Sequence, residues 1–283
     1  MSLRKLPEAK TFARPQNFQW DAPSDVLAKW AETPAAAASD DETTITMFDV
    51  IGEDWWTGGG VTAKRVAGAL RVIGDRAVTL KINSPGGDMF EGIAIYNLLR
   101  QHPAKVTVEV MGWAASAASI IAMAGDEINM GLGTFMMVHN AWGAVVGNQH
   151  DFREGATLFE GFDAAIADIY EARTGMARAE ITKLMDGESF MGPTEAVEKG
   201  FADNVDDGLK MPEADAAAST NIEIRAVRQI DAALAKDGKT RSERRSLIRG
   251  IKGGTPDAAA AGVTQDADTE WMAAARRFVD TFK

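Results

Sequence analysis

The chain has no cysteine in its 283 residues, which excludes disulfides, thiolate metal sites and a cysteine nucleophile. Histidine is almost as scarce. The three present, His102, His139 and His150, form no H-E-x-x-H pattern, so a histidine-built metal site would need all three to converge. Neither a metal nor a cofactor is expected. No apolar run approaches the roughly 18 residues that span a bilayer. The opening MSLRKLPEAKTFARPQNF lacks the apolar stretch of a signal peptide, so the expectation is a cytoplasmic protein without a membrane partner. Positive charge is in deficit: 30 Lys and Arg face 41 Asp and Glu, a net charge of −11, which argues against a nucleic-acid partner. There is no internal repeat, and solenoid folds drop out. What the chain does have is 46% hydrophobic residues, enough for a core and too many for a wholly disordered protein.

Composition shifts divide the chain into three parts. Residues 1–44 read as an N-terminal arm, with Phe18, Trp20 and Trp30, closing in the linker-like run from Pro34 to Glu42. Residues 45–207 carry the alternation of a folded domain. The run ITMFDVIG is strand-like; VTAKRVAGALRVIG places Val61, Val66, Leu70 and Ile73 at helical spacing; AVTLKI is a second strand; and FEGIAIYNLLRQH is a second helix. KVTVEVMGW then runs into the uncharged, small-residue AASAASIIAMAG, and long helical stretches follow from about Asp151 to Arg173 and over ARAEITKLM. Strand and helix in alternation predict an α/β fold with a mainly parallel sheet. Residues 208–283 form a charged helical C-terminal extension, in which 236–252 hold seven basic and two acidic residues.

Ser116 lies where a strand gives way to a small-residue helix. A hydroxyl at such a junction sits near unpaired backbone N–H groups and the positive end of a helix dipole, which suits an attacking oxygen and a developing oxyanion. The competing reading is that small residues there only let the helix pack. Ser119, one turn further on, reads as a packing residue. His139 follows the apolar strand FMMV and falls at its end, whereas His102 reads as part of an exposed turn and His150 of a polar loop. The loop Asn83-Ser84-Pro85-Gly86-Gly87 joins a strand to a helix, and its glycines allow a backbone N–H to face a cleft. It has neither the Gly-Lys-Ser/Thr nor the G-x-G-x-x-G of nucleotide-binding loops.

Four segments, INSPGG, GWAASA before an apolar helix, MMVHNAWG and ESFMGPTEAVEKGFAD, resemble in the same order the oxyanion loop, nucleophile segment, histidine segment and acidic segment of the ClpP family of serine peptidases, across roughly residues 45–206. The stretch TITMFDVIGEDWWTGGGVTAKRV is similar to the opening of ClpP-related head-maturation (prohead) proteases of tailed phages and prophages. The resemblance implies a ClpP/crotonase-like fold of repeated β-β-α units, and hydrolysis of peptide bonds by a Ser-His-acid triad inside a homo-oligomeric ring, a heptamer or a pair of them. Its substrates would be capsid or scaffold proteins.

Carried over by motif, Ser116 is the nucleophile and His139 the base, 23 residues apart, close to the family's separation. The N–H groups of Gly87 and Ala117 would form the oxyanion hole, and the backbone at Gly86 and Gly143 would hold an extended substrate. The acid departs from the family's aspartate: the matching position is Glu188, with Asp186 as its rival. Three alternatives stay open. One is a ClpP-like scaffolding protein without strong activity. The second is a crotonase, which would not need Ser116; the third is a Ser-Lys signal-peptide peptidase, which would want a lysine in place of His139.

Overall fold

Residues with alternating burial form the strands, and their apolar faces meet helices on either side. The computed structural model describes residues 43–53 and 60–209, together with scattered positions between 230 and 250. The first two stretches belong to one compact unit and the scattered positions to another. In the first unit β1 (Thr44–Met47) leads to α1 (Ala63–Ile73), β2 (Val78–Ser84), α2 (Met89–Arg100), β3 (Val106–Ala115) and α3 (Ala117–Ala122). Then come β4 (Glu127–Gly131), β5 (Phe135–Val138), α4 (Gln149–Thr174), α5 (Arg178–Asp186), β6 (Ser189–Met191), α6 (Pro193–Glu198) and β7 (Asn204–Asp206).

The sheet runs β1-β2-β3-β4-β7, with every neighbouring pair parallel. β3 has two partners on one side: Thr107 to Val110 pair with β4, and Trp113 to Ala115 pair with β5. Between those halves the β2–β3 register slips, from Ile82 opposite Val110 to Ser84 opposite Ala114. The buried Asn83 fills the gap, its Oδ1 accepting the Trp113 N–H at 3.1 Å. Gly112 makes that approach possible, because a Cβ there would lie 2.4 Å from the same oxygen. The bend sends the end of β3 towards β5, which in turn pairs antiparallel with β6.

Leu80, Ile82, Val108, Val110, Ile128 and Met130 are fully buried along the central strands, packed with Ile95 and Leu99 of α2 and Ile121 of α3. Burying side chains of this size contributes roughly 1.5–3 kcal/mol each. Two charged pairs sit within this apolar body: Arg100 with Asp126 at 3.5 Å and Arg173 with Asp203 at 2.5 Å. Among the described residues, no helix is long and apolar enough to cross a membrane.

Several expectations change. His102 is buried rather than exposed, its Nε2 lying 2.7 Å from the Arg76 carbonyl, because the turn after α2 folds back onto the end of α1. The segment AASAASIIAMAG is helical only from Ala117 to Ala122, since β3 continues through Ala115 by pairing with β5. The N-terminal arm up to residue 42, Trp55, Trp56 and most of the C-terminal extension lie outside the described residues, and Thr44, placed in the arm, opens β1 instead. In the second unit Ile230, Leu234 and Ile248 are buried, and Arg244 Nε donates to Asp231 Oδ1 at 3.0 Å.

Candidate active site

The carboxyl ends of β2, β3 and β5 open onto one place, the usual position for chemistry in a parallel sheet. Ser116 stands at the end of β3, immediately before α3, with φ 55° and ψ −124°. This is one of two positive-φ non-glycine positions among the described residues; the other is Glu188, at φ 44°. Such a conformation costs on the order of 1–3 kcal/mol and persists only where the surroundings impose it. Here the Ser116 N–H donates to the Met137 carbonyl at 2.9 Å, and its own carbonyl accepts the Ser119 N–H at 2.9 Å. The serine is thereby turned out of the strand before the helix begins.

The loop after β2 presses against this elbow. A Cβ on Gly86, at φ +89°, would lie 2.4 Å from the Ala115 carbonyl oxygen, 2.6 Å from Ser116 Cβ and 3.0 Å from Ala117 N. Gly87 is held as closely from the other side, its absent Cβ falling 1.9 Å from the Ile51 oxygen. The Ile51 N–H donates to Gly86 O at 2.8 Å and the Asp88 N–H to Ile51 O at 2.9 Å, which pins the loop on both sides of Gly87. The Gly87 and Ala117 N–H groups themselves donate to no acceptor among the described residues.

His139 follows the last residue of β5, and its Nε2 lies 2.6 Å from Ser116 Oγ. Burial holds its pKa below the usual histidine value, and the negative charge of Glu188 partly opposes that shift. The imidazole is therefore neutral at pH 7, the form that accepts a proton. Glu188 is brought to His139 by the β5–β6 register: Val138 pairs with Ser189, so the next residues outward on the two strands are His139 and Glu188. No hydrogen bond joins the two side chains, and the carboxylate acts on the ring through its charge.

Asp186 faces elsewhere. Its Oδ1 accepts the Asn140 Nδ2–H at 2.8 Å. One residue on, the Ala141 N–H donates to Asp163 Oδ1 at 2.6 Å, so the two residues after the histidine are gripped from α5 and α4 in turn. Burial is the main cause of the raised pKa of Asp163, and the nearby Asp186 charge adds to it. Gly143 lies four residues past His139, half-buried in the chain leading to α4. His150 is exposed within the first turn of α4 and His102 is tied to Arg76, so His139 is the histidine at the serine. Among the described residues no group of three or more His, Asp or Glu is placed to hold a metal ion.

Sequence reasoning missed Asp163, whose partner is 22 residues away, and the hydroxyl pair Ser119–Tyr170, separated by 51 residues. No local pattern announces either pairing; only the placement of α4 against α3 and β5 creates them.

A family model described as Clp protease matches residues 62–208. The ATP-dependent Clp protease proteolytic subunit of Deinococcus radiodurans is 31% identical over 135 residues, covering 47% of this chain and 66% of that protein. The subunit of the same name from Mesostigma viride is 32% identical over 132 residues, covering 46% and 58%. The chain thus spans less than two thirds of either relative. Among solved structures, a point mutant of ClpP1 from Listeria monocytogenes matches with a TM-score of 0.51 at 22% identity, over 59% of this chain and 93% of that one, a likeness of fold. With the family match extending over more than half of the sequence and a ClpP fold beneath it, this protein belongs to the Clp protease family of serine-type peptidases.

Proposed function

We propose that the protein is a serine endopeptidase in which Ser116 is the nucleophile and His139 the general base. The observation that carries this reading is the 2.6 Å contact between His139 Nε2 and the hydroxyl of a serine held at φ 55°. Ser116 Oγ attacks the scissile carbonyl carbon while its proton passes to Nε2, and the carbonyl oxygen becomes an oxyanion facing the Gly87 and Ala117 N–H groups. Collapse breaks the C–N bond, with the imidazolium giving its proton to the leaving amine. Water, deprotonated by the same ring, then releases the acyl group and restores the serine. Glu188 stabilises the imidazolium by charge, and the backbone near Gly86 and Gly143 supports an extended substrate.

The working form is a homo-oligomeric ring, and its substrates are capsid or scaffold proteins cleaved during phage head maturation. That assignment rests on the similarity of TITMFDVIGEDWWTGGGVTAKRV to head-maturation proteases. Co-expression with the major capsid protein of its own genome should give a truncated capsid subunit with the wild type and none with Ser116→Ala. The direct test of the chemistry is a fluorophosphonate probe read by mass spectrometry. The adduct is expected on Ser116 and absent from Ser116→Ala; an adduct on Ser119, or proteolysis that survives Ser116→Ala, would overturn the assignment.

A second reading, a ClpP-like assembly scaffold with weak activity, draws on the missing hydrogen bond between Glu188 and His139. It predicts an assembled but unlabelled protein.

A further inference from the structure

Ser119 is fully buried on α3 and does more than fill space. Its Oγ lies 2.6 Å from the Ser116 carbonyl oxygen and 2.7 Å from the Tyr170 hydroxyl of α4. A carbonyl oxygen can only accept, so the single Ser119 hydroxyl proton goes to Ser116, and Tyr170 must donate to Ser119. The proton order is fixed: Tyr170 to Ser119 to the Ser116 carbonyl. Complete burial pushes the Tyr170 phenol well above its usual pKa, so it stays a donor at any working pH.

The carbonyl at the end of this chain belongs to the peptide whose N–H is that of Ala117. There are no cis peptides among the described residues, so C=O and N–H point in opposite directions across that plane. Whatever fixes the Ser116 oxygen therefore aims the Ala117 N–H. The nitrogen lies beside the glycine loop, 3.0 Å from where a Gly86 Cβ would be, and neither it nor the Gly87 N–H donates to an acceptor among the described residues. A chain of hydrogen bonds ending on the oxygen also polarises the peptide, which strengthens its N–H as a donor.

We propose that Ser119 and Tyr170 are positioning residues, a buried relay that locks the Ser116–Ala117 peptide so that its N–H faces the oxyanion. The inference rests on the peptidase reading above and adds to it two side chains that preset the oxyanion hole beside the backbone N–H groups of Ser119 and Ile120, which reach the same oxygen at 2.9 and 3.3 Å. Neither hydroxyl touches substrate. Their effect is exerted through the Ala117 N–H, and is therefore largest when negative charge has developed on the substrate oxygen.

The test uses the full chain, a fluorophosphonate probe and p-nitrophenyl acetate, in wild type, Ser119→Ala, Tyr170→Phe and the double variant, with thermal unfolding monitored alongside. Tyr170→Phe keeps the ring packed against Phe201, 5.4 Å away between centroids, and removes only the donor. Loss of one oxyanion donor costs about a hundredfold to a thousandfold in kcat. Misaiming it should cost on the order of tenfold to a hundredfold in kinact and kcat for Ser119→Ala, and several-fold for Tyr170→Phe. KI and KM should be unchanged. Because the two groups act in series, the double variant should be no slower than Ser119→Ala.

Unchanged kinact and kcat in the folded variants, a change confined to KI and KM, or single losses that multiply in the double variant would each overturn the relay. Should Ser119→Ala fail to fold, Tyr170→Phe alone decides by the same rate criterion. A wild type that takes no label overturns the peptidase reading and the relay with it, whereas a labelled wild type with unaffected variants overturns the relay alone.

Discussion

At His139 two opposed effects set the proton affinity of the base, with burial lowering it and the Glu188 charge raising it. Burial prevails, so kcat/KM should hold at lower pH than an ordinary histidine near 6.5 would allow, and fall only as the ring is protonated. Glu188→Gln removes the opposing charge, so the acid limb should move to still lower pH while kcat drops, the neutral amide no longer stabilising the imidazolium. A pH profile of ester hydrolysis measures both. Asp186→Asn should leave that limb in place, because its carboxylate holds Asn140 rather than the ring. His139→Ala should lower kcat/KM by at least about a thousandfold, and His150→Ala should leave it near wild type. An acid limb that shifts with Asp186→Asn and not with Glu188→Gln would make Asp186 the group that acts on the base.

The loops and helix ends around the site are constrained as strongly as the site residues. Gly86→Ala places a side chain on a positive-φ position and against the Ala115 carbonyl, so it should cost at least about 1–2 kcal/mol for the backbone alone, and inactivate by pushing the glycine loop off the elbow. Unfolding midpoints and probe labelling check the two effects separately. At α4, Asp163 has a pKa raised above its ordinary carboxylate value. The folded state therefore binds its proton more tightly than the unfolded chain does, and the stability this gives is lost as pH rises through the folded pKa. Asp163→Asn, which keeps an oxygen to accept the Ala141 N–H, should raise the melting temperature at pH 7 and remove the fall in stability between the ordinary aspartate pKa and the raised folded one. A lower melting temperature at pH 7 would contradict that sign.

Much at this scale was legible in the sequence. The helical spacing of Val66 and Ile73, the strand AVTLKI and the serine at a strand-to-helix junction all follow from local periodicity and appear as α1, β2 and the β3–α3 elbow. Three features did not follow: the burial of His102, the extension of β3 to Ala115, and the partner of Ser119. Each is decided by a contact with a distant element, and one-dimensional patterning carries no record of it.

For the molecule as a whole, the described surface leaves apolar groups without cover near the start of α4. Val146 is 92% exposed, and Phe152 and Trp142 are about half exposed. Joined into one patch, exposed apolar groups of this size would mark an interaction site. Native mass spectrometry should show a closed oligomer, a heptamer or two, and Phe152→Asp should shift it towards smaller species; a stable monomer at micromolar concentration would contradict the ring.

The divided pairing of β3 sets a limit on how this protein can fail. Among the described residues β5 and β6 pair with the sheet through Trp113, Ala114 and Ala115 and the bond from the Ser116 N–H to the Met137 carbonyl, whereas the other half of β3 is clamped between β2 and β4. The base rides at the end of the small annex, and the nucleophile ends the long strand. A sub-global opening that releases β5 would part His139 from Ser116 while the main sheet stayed intact, giving a protein that is folded by circular dichroism yet catalytically silent. Amide hydrogen exchange should reveal this as faster exchange at Met136 to Val138 than at Val108 and Val110. Conditions or partners that slow exchange in the annex alone should raise the labelling rate at Ser116 without raising the global melting temperature.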